Sequence, residues 1–381
     1  MKRILILGAG EMQLPVIQKA KQLGVYTIVA DFDSNAPGFI FADEKAIIST
    51  IDFKKILQLA VEKQINGILT TSDFPVNIVA RVAKELNLRA MSIDVAELCT
   101  NKYLQREFFK KSGIKTPAYK LINQKGELYQ INFFPCIIKP VDSSASRGVK
   151  LVNNFEELEM QYEISLKFSK ESKVIIEDFI PGREFSVETF SQNGLTSIIT
   201  ITEKLITGEE IGFFVEDTHI IPARITQVEE GLIHNEVLKA IEIMKIDNCP
   251  THTEVKLNEK GVFIIEIACR LGGDYITSDL VPLATGVDML ENLIRISLNE
   301  KIDVESKWNK VSAVQFLNGK NYCNAIKFIQ EGGGNIIRSE KKEFHTGDIT
   351  SSLNRMGYII LQADSMHEMN ILLEKINKPI E

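Results

Sequence analysis

A chain of 381 residues is too long for one ordinary hydrophobic core, so two or three domains are expected. An apolar share of 44% and a charged share of 25% suit an ordinary globular enzyme, while 51 acidic against 44 basic side chains, a net charge of -7, argue against a general nucleic-acid or anionic-membrane binder. No apolar run approaches the roughly 18 residues of a membrane span, and the five cysteines (Cys99, Cys136, Cys249, Cys269, Cys323) lack C-x-x-C spacing, which disfavours a zinc site or disulfide framework and fits a reducing cytoplasm.

The opening MKRILILGAG is a short apolar run leading into a glycine turn, a first β-strand rather than a signal peptide. Strand and helix patterns then alternate: strand 3–8, helix 13–23, strand 27–31, helix 53–63, strand 67–71, helix 75–86 and a short strand near 89–92. This order predicts a parallel sheet with helices on both faces. Past residue 100 the pattern changes to helix 102–112, closed by Gly113, and strand 136–140, followed by the small-residue loop DSSASRG (142–148). Strand 149–152, helix 154–166, strand 174–178 and the period-two segment EFSVETF (184–190) come next. A long mixed stretch leads to helix 229–245, strands 251–257 and 262–268, the loop RLGGD (270–274) and helix 287–298. From Glu305 onward, strand 313–317, helix 323–330, a GGG turn, strand 358–362 and helix 365–376 read as a small α+β cap.

Between strands 251–257 and 262–268, Asn258-Glu259-Lys260-Gly261 is a turn sequence. A hairpin centred on it sets Glu254 opposite Glu266, two like charges about 5 Å apart on one face, which is destabilising unless something offsets them. A divalent cation does so, and magnesium takes one or two carboxylates plus substrate phosphates. Two solvated strand residues are the plainer alternative; against it, Ile264, Ile265 and Ile267 make the second strand apolar on both faces.

Lys139 ends the apolar strand CIIKP, and its ammonium, Arg147 and the backbone N–H groups of Ser143 to Gly148 suit a phosphate; a surface lysine before a plain turn has the same pattern. No G-x-x-x-x-G-K-[ST] loop is present. Glu177 closes its strand before Asp178-Phe179-Ile180-Pro181-Gly182, whose exposed backbone suits an adenine edge, and Glu184 suits ribose hydroxyls, although acidic strand ends are common. Arg270 suits a developing phosphate charge, or a pairing with any nearby acid. Gly8-Ala9-Gly10 with Asp31 is part of a dinucleotide fingerprint, but Gln13 stands at the third glycine, so it reads as a tight strand-to-helix turn. The histidines (His219, His234, His252, His345, His367) form no metal-like set, although His252 shares a face with Glu254.

Five stretches in this order resemble the ATP-grasp superfamily: TSDFPVN (71–77), NKYLQREFFKKSGIKTPAY (101–119), PCIIKPVDSSASRGVKLV (135–152), VIIEDFIPGREFSVETF (174–190) and HTEVKLNEKGVFIIEIACRLGGD (252–274). The resemblance covers almost the whole chain. It implies an α/β and α+β architecture: a Rossmann-like domain over 1–100, an ATP-grasp domain of two α+β subdomains over 101–304 with a small lid over 115–180, and an α+β cap over 305–381. It implies that Lys102 and Lys139 bind nucleotide phosphates and that the Asp142–Gly148 loop, with Ser144, Ser146 and Arg147, closes over them. Glu177, Phe179 and Ile180 are implied adenine contacts, Glu184 the ribose contact, Glu254 and Glu266 the magnesium ligands, and Arg270 the arginine beside an acyl-phosphate. Two residues depart from the family pattern: Ala268 stands where a metal-ligating side chain is usual, and Ala145 where glycine is common in the loop.

The activity implied is an ADP-forming carboxylate–amine ligation in the cytoplasm, using ATP and Mg2+, with Mn2+ as a substitute. The stretch from His252 to Asp274 resembles amino-acid and dipeptide ligases, pointing to an amino acid or similar small carboxylate as donor; His219, Arg224, Gly272 and Gly273 are the expected substrate residues. The partners are then small-molecule carboxylates and amines, with no nucleic acid or membrane, and a homodimer is common in the superfamily. Competing readings are a purine-biosynthesis or carboxylating ATP-grasp enzyme using formate or bicarbonate, a nucleotide-binding regulator without turnover, and an oxidoreductase built on Gly8, Gly10 and Asp31.

Overall fold

The computed structural model describes residues 1–143, 146–344, 347 and 350–378, with Glu210 through its backbone only. The first section contains β1 (Arg3–Leu7), α1 (Leu14–Gln22), β2 (Tyr26–Asp31), β3 (Glu44–Ile47), α2 (Phe53–Lys63), β4 (Gly67–Leu69), α3 (Val76–Glu85), α4 (Ile93–Leu98) and α5 (Lys102–Ser112). Its strands form a parallel sheet in the order β3-β2-β1-β4, as the alternating pattern predicts. No strand forms at 89–92; Ser92 instead caps α4 by accepting from Val95 N at 3.3 Å. The short, half-exposed strand β3 carries no apolar alternation and is not among the strands expected from the sequence.

The second section contains β5 (Tyr119–Ile122), β6 (Cys136–Pro140), β7 (Lys150–Val152), α6 (Phe155–Leu166) and β8 (Val174–Asp178), forming an antiparallel sheet in the order β5-β8-β6-β7. The chain continues with β9 (Arg183–Gln192), β10 (Leu195–Thr207), β11 (Val215–Ile221), α7 (Gln227–Met244), β12 (Cys249–Asn258), β13 (Gly261–Ala268), α8 (Val281–Thr285) and α9 (Met289–Ser297). The mixed stretch thus holds two long strands, β10 and β11. The last section contains β14 (Val311–Phe316), α10 (Tyr322–Gln330), β15 (Ile336–Lys341), β16 (Gly357–Ala363) and α11 (Met366–Asn377). Its strands extend the central sheet, in the order β13-β12-β9-β10-β11-β14-β16-β15.

Period-two alternation in β9 and β12 divides the sheet chemically. Phe185, Val187, Val255 and Leu257 enter a core shared with Leu5, Val79 and Phe109. Glu184, Ser186 and Glu188, with His252, Glu254 and Lys256, alternate with them and take the other face. The opposite face of β1 packs with α9 residues and with β14 and β16 in a second core. No helix among the described residues is long and apolar enough to cross a membrane.

β4 lies against the end of α9 so closely that a β-carbon on Gly67 would overlap the Ser297 carbonyl. Gly67→Ala is therefore expected to destabilise the chain by about 1–3 kcal/mol through overpacking. A fall of several degrees in the thermal unfolding midpoint checks this.

Candidate active site

The hairpin pairs Asn258 with Gly261, Leu257 with Val262, Lys256 with Phe263 and Val255 with Ile264. Continued unbroken, that register would set Glu254 against Ile265. A β-bulge intervenes after Val255–Ile264, and Glu254 then pairs with Glu266, Thr253 with Ile267 and His252 with Ala268. The carboxylates do face each other, but the bulge produces this and the turn does not. Their compensation also differs from the expectation. Lys204 Nζ lies 2.7 Å from Glu254 Oε1, and Lys102 Nζ lies 2.9 Å from Glu266 Oε1. Two ammonium groups therefore offset the like charges, so repulsion alone does not call for a metal.

Sheet register assembles the rest of the floor. Lys256, Glu184, Lys204 and His219 lie in one row across β12, β9, β10 and β11. Buried Lys204 also reaches Glu184 at 3.2 Å and Glu216 at 3.6 Å. Burial lowers its pKa, but Glu254, Glu184 and Glu216 outweigh this and hold it well above the usual range. Burial likewise pushes the Glu254 carboxyl up, yet Lys204 and the His252 ring hold it well below the carboxylate range. His252 Nδ1 is 2.6 Å from the buried Glu188 carboxylate, which raises its pKa to about 9 against the opposing effect of burial.

This floor opens into a cavity of about 860 Å3. One arm runs between the two antiparallel sheets, with Ile137, Val149, Phe179, Ile180, Phe214 and Ile265 among its walls. Lys139 and Glu177 lie in this arm; the carboxylate of Glu177 holds Lys139 Nζ at 2.7 Å and Arg106 Nε at 2.9 Å. Its side chain is thus engaged with two cations. The other arm is lined by Tyr275, Phe316, Arg355 and Tyr358, and by Gly10 to Gln13 and Thr71 to Phe74 from the first section.

Arg270 lines the junction and binds Asp73, Nε to Oδ1 at 2.5 Å and a terminal nitrogen to Oδ2 at 3.2 Å. Burial raises the Asp73 pKa, but Arg270 and Lys102 bring it below the usual range. Asp31 has both carboxylate oxygens engaged, by Ala9 N at 2.8 Å and Asp33 N at 3.0 Å, so it tightens the first turn. Gln13 occupies the place of a third glycine and reaches Ser72 Oγ at 3.1 Å.

Of the expected site residues, Lys102, Lys139, Ser146, Glu177, Phe179, Ile180, Glu184, His219, Glu254, Glu266, Arg270 and Gly273 line this cavity. Ser144 lies outside the described residues, as does Ala145 of the same loop. Arg147 is exposed, with its guanidinium 5.7 Å from the Phe74 ring centroid. Arg224, expected among the substrate residues, is not part of this lining; it is bound to Glu203 at 2.7 Å and to Asn370 at 3.3 Å. Gly272 acts by its size, since a β-carbon there would meet His252 Nδ1 at 2.7 Å. Lys204, Asp73 and Arg355 were not singled out from the sequence. The only available signal for Lys204 was the alternation in ITITEK, hidden within the mixed stretch.

The donor set fits magnesium, which takes hard oxygen ligands and is completed by phosphates and water. Ala268 supplies no ligand, and among the described residues no group of three His, Cys, Asp or Glu side chains can hold a metal ion. Glu254 and Glu266 would hold the ion together with nucleotide phosphates.

Residues 132–279 match the family model described as the ATP-grasp domain. Over 269 residues the chain is 26% identical to alanine–anticapsin ligase from Bacillus subtilis, covering 64% of this chain and 56% of that protein. Over 244 residues it is 28% identical to formate-dependent phosphoribosylglycinamide formyltransferase from Bacteroides thetaiotaomicron, covering 60% of this chain and 62% of that protein. The match therefore spans little more than half of either relative. The crystal structure of an L-amino acid ligase from Bacillus licheniformis superposes with a TM-score of 0.81 at 22% identity, covering 100% of this chain and 98% of that one, which establishes the shared fold. The motifs, the domain match and the architecture agree: residues 132–279 form an ATP-grasp domain, and the chain as a whole has the fold of that ligase structure.

Proposed function

We propose that this chain is an ATP- and magnesium-dependent carboxylate–amine ligase whose donor is an amino acid or a similar small carboxylate. The observation that carries this reading is the pairing of Glu254 with Glu266 at the junction of the two cavity arms, beside Lys102, Lys204 and Arg270. ATP would occupy the arm of Lys139, Glu177, Phe179 and Ile180, with Glu184 toward the ribose. A donor carboxylate oxygen attacks the γ-phosphorus and the bond to ADP breaks. An amine then attacks the acyl carbon, expels phosphate and loses a proton, leaving an amide. Bound magnesium would neutralise charge on the transferring phosphoryl group. Lys102, Lys139 and Arg270 would hold the phosphates in line and stabilise the developing charge, so positioning and electrostatics suffice without a nucleophilic side chain.

A second reading, formate as donor, is favoured by the likeness to the formyltransferase. ADP release separates the two when measured with panels of amino acids, formate and bicarbonate, each with hydroxylamine to trap an activated carboxylate as its hydroxamate. Hydroxamate from amino acids supports the ligase; hydroxamate from formate alone supports the second reading. No ADP release with any carboxylate defeats both and leaves a nucleotide-binding regulator. Glu266→Gln is expected to lower magnesium-dependent ADP release by about 100-fold or more while the circular dichroism spectrum is retained. Unchanged magnesium-dependent turnover in this variant would remove Glu266 from the metal site.

His219 and Gly273 are assigned to the substrate arm. His219 is 1% exposed and lines the cavity, and among the described residues neither of its ring nitrogens has a hydrogen-bond partner. Burial, reinforced by Lys204 and Arg355, lowers its pKa to about 3. A neutral ring offers one donor and one acceptor to a substrate. The same shift affects stability: below pH 6.5 the unfolded chain binds a proton that the folded chain refuses, so stability falls as pH drops from 6.5 toward about 3. His219→Gln removes this contribution. Relative to wild type, its stability loss between pH 7.5 and 5 is expected to be smaller, by on the order of 2 kcal/mol, in denaturant titrations. Parallel curves for the two proteins would contradict a neutral buried His219.

A further inference from the structure

β13 is an edge strand, so its outer backbone groups have no strand partner. One face of α5 supplies one. Gln105, 2% exposed, donates Nε2 to the Ile267 carbonyl at 2.8 Å and accepts the Ile267 N–H at 3.0 Å. Its side-chain amide thus takes the place of a neighbouring strand's peptide. Arg106, 1% exposed, donates to the Ile265 carbonyl at 2.5 Å. Lys102, on the same helix face, holds the Glu266 carboxylate itself. The residues on both sides of Glu266 are therefore clamped at their backbones.

Ile265 is the extra residue of the bulge, so this clamp acts where the register is decided. Without the bulge, Glu266 would pair with Thr253 and turn to the other face of the sheet, because a one-residue slip inverts every side chain. Arg106 also lies against Glu177, which holds Lys139 in the nucleotide arm. A buried arginine–glutamate–lysine set adds little stability over well-packed apolar residues, so its presence needs another reason. We propose that Gln105 and Arg106 are positioning residues: they keep the bulge formed and Glu266 aimed at the metal, and Arg106 ties that strand to the Glu177–Lys139 pair. This rests on the ligase reading for what the site does, but its test does not require turnover.

The test is calorimetric ADP binding to the full chain across a magnesium series and in EDTA, for wild type, Gln105→Met and Arg106→Lys. Methionine fills the same space without the two hydrogen bonds, and lysine keeps the charge but cannot reach Glu177 and Ile265 together. In both variants the magnesium concentration giving half the gain in ADP affinity should rise about ten-fold or more. Metal-free ADP affinity of Gln105→Met should stay within about two-fold of wild type, and Gln105→Met should add nothing further in a Glu266→Gln background. Folded variants with a wild-type magnesium midpoint overturn the proposal, as does an additive effect in the Glu266→Gln background. So does a wild type whose ADP affinity ignores magnesium. Failure of both variants to fold would make the clamp a stability element and also overturn it. A wild type that binds magnesium-ADP but activates no carboxylate defeats the ligase reading alone.

Discussion

Two carboxylates cannot stand opposite each other on a sheet without compensating charge, and the centre of this molecule is arranged around that constraint. Glu254 leans on Lys204 of β10, and Glu266 on Lys102 at the start of α5. The two lysines come from different parts of the chain, so the pair can be balanced only when the central sheet and α5 are both in place. Lys204 in turn sits among Glu184 and Glu216, and the balance spreads across four strands. Loss of Lys204 would leave Glu254, Glu184 and Glu216 without the buried cation they share, a more costly outcome than the loss of one ion pair at a surface.

The same sheet explains how residues distant in sequence reach one cavity. β9 lies between β12 and β10, and β14 and β16 continue beyond β11. Arg355, just before β16, thereby reaches Asp274 after β13 at 2.9 Å and Glu216 at 3.0 Å, with its guanidinium 3.6 Å from the Phe316 ring centroid. Asp274 and Tyr275 both have positive φ, 48° and 66°, conformations costly for such side chains and concentrated at working sites. They turn Tyr275 against Tyr358, with ring centroids 4.3 Å apart.

Much of this was legible in the sequence because it rests on local rules. α2 and α5 carry clear end signals in Asp52, Asn101 and Gly113, and both span the residues expected of them. The alternation in EFSVETF announced β9, and His252 and Glu254 were expected on one face of β12. What the sequence hid was set by tertiary geometry. A bulge has no composition signature here, so the opposition of Glu254 and Glu266 followed from the right pair and the wrong register. Lys204 lay within threonines and isoleucines whose alternation is weak, and Arg224 carried a plausible charge that Glu203 consumes. Gln105 and Arg106 carry no sign of burial within NKYLQREFFKKS; only the position of the β13 edge shows why they are buried.

The covering of that edge has a consequence for the chain among its own copies. An eight-stranded sheet has two rims where a foreign strand can add and begin aggregation. At β13 the rim is occupied by Gln105 and Arg106, with Thr116 Oγ1 on the Ile264 carbonyl at 3.0 Å and the Ile264 N–H on the Lys115 carbonyl at 2.9 Å. At β15 the segment IIRSEK presents Arg338, Glu340 and Lys341, charges that discourage edge-to-edge growth. Gln105 and Arg106, which hold the backbone on both sides of Glu266, thus also close one end of the sheet to the addition of a foreign strand.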